Sequence, residues 1–182
     1  MPDLKLEGYH GTTKTKAETI IEQKMFIKSN KRTEWLGKGI YFFAKRKHAC
    51  WWASNESKKA RPFSASPALV IVTIKYTENA YFDLDLSENM KKMREQIYCA
   101  VKKVAKFGTG HPEFKNAEEM RCFYCNLFQD LNPHIKVYAY TFPRAYRNDL
   151  GFDFIDYQRQ YCVTDNNNLV NMRMEEVLGY VV

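Results

Sequence analysis

Two short segments constrain this chain more than anything else in it: Tyr9-His10-Gly11-Thr12 and, further on, Leu36-Gly37-Lys38-Gly39-Ile40-Tyr41-Phe42-Phe43. Both read as strand ends at which a ring stands beside a glycine. Glycine carries no side chain, so backbone at such a corner can approach a flat group closely. A histidine there can hydrogen-bond a hydroxyl, and a tyrosine on an Ile-Tyr-Phe-Phe strand can lay its ring against a planar cation. The pair therefore predicts a cleft walled by His10, Gly11, Thr12, Gly39 and Tyr41. A following helix with Ala49-Cys50-Trp51-Trp52-Ala53 offers Trp51 or Trp52 to close its other side. Each ring taken alone is equally consistent with ordinary core packing.

The remaining pattern is that of an α+β domain. A short strand leads to Tyr9-His10, and Thr15–Gln23 has helical spacing with Thr13 or Thr15 as its cap. Lys45–Ser57 reads as a helix, and Ala68–Tyr76, rich in Val, Ile and Thr, as a buried strand. Ser87 opens a long helix whose Met90, Met93, Ile97, Val101 and Val104 form an apolar stripe, with Gly108 as its end. A helix over Ala117–Leu131, a strand over Ile135–Phe142, an irregular loop, a strand carrying Gln160 and a last strand near Glu176–Val182 complete the order.

The chain of 182 residues is 45% hydrophobic, enough for one core, and no repeat or low-complexity linker divides it, so residues 1–182 are read as one domain. It contains no apolar run of membrane-spanning length and no signal-peptide pattern. Five irregularly spaced cysteines argue for reduced thiols and a cytoplasmic protein. Cys122 and Cys125 have half of a zinc-site spacing, yet no second pair follows, and His48, His111 and His134 are scattered, so no metal is expected. Twenty-eight lysines and arginines against 21 acidic residues leave a formal charge of +7. The basic residues group at Lys28–Arg32, Lys45–Lys47, Lys58–Arg61, Lys91–Arg94 and Lys102–Lys106. Such surfaces attract phosphate backbones. The aromatic stretch Tyr138–Tyr146, with Arg144 and Arg147, adds rings on which bases stack, so nucleic acid is the favoured macromolecular partner.

Tyr9–Thr12 and Gly37–Phe43 resemble the first two motifs of the diphtheria-toxin/poly(ADP-ribose) polymerase type of ADP-ribosyltransferase, the H-Y-E group. The segment Tyr157-Gln158-Arg159-Gln160-Tyr161-Cys162-Val163-Thr164-Asp165 resembles the strand of the third motif, and the Trp51-Trp52 helix the usual aromatic partner. Residues 84–134 carry no recognisable motif. The resemblance implies the ADP-ribosyltransferase fold, split antiparallel β-sheets with inserted helices, and NAD as substrate. It implies that His10 and Gly11 anchor the dinucleotide, that Tyr41 stacks nicotinamide, and that Gln160 stands where the family has a glutamate. An amide supplies hydrogen bonds without charge, which points to a mono-ADP-ribosyltransferase or NAD hydrolase and away from chain elongation. Asp156, Asp165, Glu34 and Glu175 are candidates for the missing carboxylate. The implied acceptor is nucleic acid, RNA or DNA, with protein as the alternative. The implied setting is a bacterial toxin or anti-phage defence effector with an antitoxin or chaperone partner. The rival reading is a module of the same fold that binds NAD, ADP-ribose or nucleic acid and catalyses nothing.

Overall fold

The Val- and Ile-rich run at the centre of the chain forms β3 (Pro67–Tyr76), which pairs antiparallel with β1 (Leu4–Thr13) over ten positions, from Leu4 with Tyr76 to Thr13 with Pro67. These strands belong to a computed structural model that describes residues 3–60, 65–105, 112–147 and 153–177. The other elements are α1 (Lys14–Gln23), β2 (Ile40–Phe43), α2 (Arg46–Lys59), β4 (Tyr81–Asp83), α3 (Ser87–Ala105), α4 (Ala117–Leu131), β5 (Val137–Arg147), β6 (Asp153–Val163) and β7 (Leu169–Glu176). The architecture is α+β. Among the described residues, seven strands form one sheet in the order β4-β5-β6-β2-β1-β3-β7.

Side-chain alternation along the strands gives each face its own core. Ala68, Val70, Val72 and Ile74 of β3 pack with Phe26, Phe42 and Ala17 of α1 on one face. On the other, Leu69 and Ile71 pack with Phe43 and with Ala49 and Ala53 of α2. On that face too, Tyr138 and Cys162 meet Phe128 of α4 and Met93 of α3. Within α3, Met90 and Ile97 also pack inward, whereas Val104 is exposed.

Several expectations need correction. The sheet is mixed and continuous, not purely antiparallel and split: β4 runs parallel to β5, because α3 and α4 carry the chain across between them. The expected irregular loop before Gln160 is instead a long β5–β6 hairpin ladder running from Val137 with Val163 to Arg147 with Asp153. The ladder runs through Pro143, one residue beyond the expected strand end at Phe142. β4 ends opposite Ala139, so beyond that point β5 is an edge strand and tolerates a proline. Among the described residues the last strand is β7, which ends at Glu176 and whose polar alternation, NMRMEE, suits an edge of the sheet paired on one side. Residues 178–182 and the helix end at Gly108 lie outside the described residues. Thr13 occupies the N-cap position of α1 without a capping hydrogen bond, because it is still buried as the end of β1. Helix α2 starts and ends later than Lys45–Ser57. No described helix is long and apolar enough to cross a membrane.

Candidate functional site

The site lies where the sheet comes apart. Among the described residues, β1 and β2 are paired at one position, Tyr9 with Phe43. Beyond it the ladder stops, and the His10 ring bridges the gap, its Nδ1 lying 2.9 Å from the carbonyl oxygen of Tyr41. A cavity of about 600 Å³ opens there. Its walls are the ends of β1 and β2, one side of α1, residues 25–35, and Trp52 and Glu56 of α2, with Gln160 of β6 reaching it from across β2.

His10 is held by packing as well as by that hydrogen bond. Its ring stands edge-on to Phe26 at 5.2 Å and to Phe42 at 5.9 Å between centroids. A carbonyl oxygen can only accept, so Nδ1 carries the hydrogen and Nε2 presents a lone pair. Burial pushes the imidazole below its usual pKa, against the opposing pull of the Tyr41 carbonyl. His10 is thus a neutral acceptor in a cavity wall, the form that receives a hydroxyl hydrogen.

Gln160 is 7% exposed, and its side-chain amide has no hydrogen-bond partner among the described residues. It sits opposite Phe43 on β2 and Tyr140 on β5, on the α2 side of the sheet. Two residues earlier on the same face, Gln158 is also buried, with its Nε2 unpartnered. Burying a polar group without a partner costs on the order of 1–3 kcal/mol. Gln158 carries that cost within the fold, whereas the Gln160 amide opens onto the cavity.

The other expected residues divide. Tyr41 lines the cavity, but its hydroxyl is committed: it donates to the Gly37 carbonyl at 2.6 Å and accepts from the Leu36 N–H at 2.8 Å. The ring is therefore fixed beneath the loop that precedes β2, and burial pushes the phenol far above its usual pKa. Gly11, Thr12 and Gly39 all line the cavity. The two glycines also answer to packing, since a Cβ on Gly11 would strike the Ala49 carbonyl of α2 and one on Gly39 would strike the Cys162 sulfur. Trp52 is at the cavity and packs against Phe43, whereas Trp51 is not among the lining residues.

The candidate carboxylates are separated just as clearly. Asp156 pairs with Lys47 and His48, Glu175 with Arg46, and Asp165 accepts from the Asn167 N–H, all away from the cavity. Glu34 lines it and accepts a hydrogen bond from the Ser29 hydroxyl. Sequence reasoning missed Glu56, which also lines the cavity. Its position four residues after Trp52, one turn along the same helix face, was the available signal. Lys16 and Phe26 were missed as well, with nothing in their local sequence to mark them, and Lys31 had been noted only within the basic group Lys28–Arg32. Among the described residues, no group of three or more His, Cys, Asp or Glu is arranged to hold a metal ion.

Comparison with known proteins leaves the site to speak for itself. No family model and no solved structure matches the chain. An uncharacterized protein of Methanocaldococcus jannaschii is 32% identical over 98 residues, which cover 54% of this chain and 45% of the archaeal protein. The match thus spans less than half the length of that relative.

Proposed function

We propose that this chain is an ADP-ribosyltransferase that consumes NAD. The observation that carries the reading is the cavity at the parted strands. Around it stand a neutral His10, the ring of Tyr41, Trp52 of α2 and a buried, unpartnered Gln160. The ADP-ribosyltransferase fold comes with the proposal: beside the one β1–β2 pair among the described residues, Tyr9 with Phe43, an otherwise continuous sheet opens enough to admit a dinucleotide.

In the proposed reaction the bond between ribose C1′ and the nicotinamide nitrogen breaks, and nicotinamide leaves with the electron pair, neutralising its pyridinium. An acceptor nucleophile then bonds to C1′ and gives up a proton. His10 Nε2 and the Gln160 amide would orient ribose hydroxyls, and the Tyr41 and Trp52 rings would hold the departing nicotinamide. Glu34, which accepts from Ser29 and is with Glu56 one of two described carboxylates lining the cavity, would take the acceptor's proton. Incubation of the protein with adenine-labelled NAD and a whole-cell extract tests the proposal. Label should pass to macromolecules with the parent and be lost with His10→Ala; a parent that binds NAD but transfers no label and releases no nicotinamide would sink it. That last outcome would instead establish the non-catalytic module, a reading favoured by one observation, the amide rather than a carboxylate at position 160.

A further inference from the structure

The segment from Lys24 to Lys38 is the part of the cavity rim that the reaction above uses least. It has no helix or strand of its own beyond a single bridge, yet its backbone is tied down at many points. Asn166 bonds both the N–H and the carbonyl of Phe26, at 2.9 and 3.0 Å. Ser29 and Gly39 exchange two backbone hydrogen bonds. From α4, Gln129 donates to the Leu36 carbonyl at 2.9 Å and Asn126 accepts from the Lys38 N–H at 2.7 Å. Glu119 holds Arg32 at 2.7 Å.

What this fixed loop displays is unusual for a surface. Ile27 is 90% exposed and Met25 50%, both at the cavity, with Trp35 packed on Phe142 beside them. Five cations, Lys24, Lys28, Lys31, Arg32 and Lys38, share the segment with one acid, Glu34. Arg32 is spent on Glu119, and Glu34 is turned to Ser29. No described carboxylate pairs with Lys24, Lys28 or Lys31. A rigid backbone carrying exposed apolar groups between unpaired cations fits a partner with negative charges at the edge and flat apolar faces within.

We propose that this loop docks single-stranded RNA, with Lys24, Lys28 and Lys31 on the phosphates and unstacked bases against Ile27, Met25 and Trp35. Single-stranded RNA offers such bases, whereas a duplex hides them in its stack. Docked there, the strand lies across the cavity mouth, so the inference names the acceptor of the proposed transferase and rests on that reading for its biological sense. Its test is a binding measurement made without NAD, so it fails or stands apart from the transfer assay.

Anisotropy of a fluorescein-labelled single-stranded RNA of mixed sequence, titrated at several salt concentrations, gives the affinity and its salt slope. The triple variant Lys24→Glu, Lys28→Glu, Lys31→Glu should bind at least about tenfold more weakly, with a slope smaller by about 2, near 0.7 for each lost phosphate contact. Ile27→Ala, an exposed truncation that leaves the fold intact, should weaken binding severalfold with the slope unchanged. No binding by the parent, an unaltered slope in the triple variant, or equal affinity for duplex DNA or for polyglutamate would overturn the proposal.

Discussion

Arg159 and Gln160 are neighbours on β6 that the fold treats in opposite ways. Arg159 meets Asp83 and Asp85 at 2.5 Å each and the Tyr81 hydroxyl at 2.8 Å, tying β6 to β4 across β5. Gln160, on the other face, is more deeply buried, and its side chain has no hydrogen-bond partner among the described residues. A polar group buried for stability is saturated by the protein that buries it. One at a cavity wall with its hydrogen bonds open can take a partner from outside the protein. The site is therefore recognised less by which residues line it than by which of them remain unpartnered.

The largest effect should come from separating the two roles at Gln160. Gln160→Ala is expected to lose about 2–4 kcal/mol of transition-state stabilisation, as for one preorganised polar contact, seen as lower kcat/KM for NAD consumption. Its melting temperature should hold, because the truncation breaks no hydrogen bond made within the described residues. A variant that lost stability in step with activity would erase the contrast. Arg159→Ala is the mirror case. It should cost about 2–3 kcal/mol of stability in urea titrations, below the full value for a buried pair because the guanidinium is partly exposed, while NAD affinity stays put.

A smaller effect is expected at Tyr41, which shares features of both classes. Tyr41→Phe keeps the ring at the cavity but strands the Leu36 N–H and Gly37 carbonyl, at about 1–2 kcal/mol of stability. If the hydroxyl serves only the loop, KM for NAD should rise more than kcat falls.

The smallest effect is on pH dependence. Burial lowers the pKa of both His10 and His48, the latter against its hydrogen bond to Asp156. The folded state then binds fewer protons than the unfolded chain just below the ordinary histidine pKa. Stability should be flat above about pH 6.5 and decline beneath it. Asp156 resists an upward push from burial through Lys47 and His48 and ends below the usual carboxylate pKa. Its contribution should be lost only as the pH falls through that lowered value. A melting temperature that rises on acidification from pH 7 would contradict both assignments.

Much of the site was legible because its residues also obey local rules. The glycines at 11 and 39 sit where α2 and Cys162 leave no room for a Cβ, and the continuous Ile-Tyr-Phe-Phe run of β2 placed Tyr41 on a strand. Helical spacing brought Trp51 and Trp52 to the site but did not say which of them reaches the cavity. The unread part depends on partners far apart in sequence. The loop from Lys24 to Lys38 looks unstructured until Asn166, Glu119 and Gln129 are brought to it. Pro143 signals a break unless β4 is known to stop short of it. That Gln160 lacks a partner is a property of the packed molecule, and no spacing of residues encodes it.

Calorimetric titration of NAD into the parent and into Gln160→Ala, with melting curves for both, tests the central claim most directly. The account predicts that the parent binds NAD and that the variant, equally well folded, binds it about tenfold or more weakly. Equal affinity in the two proteins, or no binding by the parent, would contradict it.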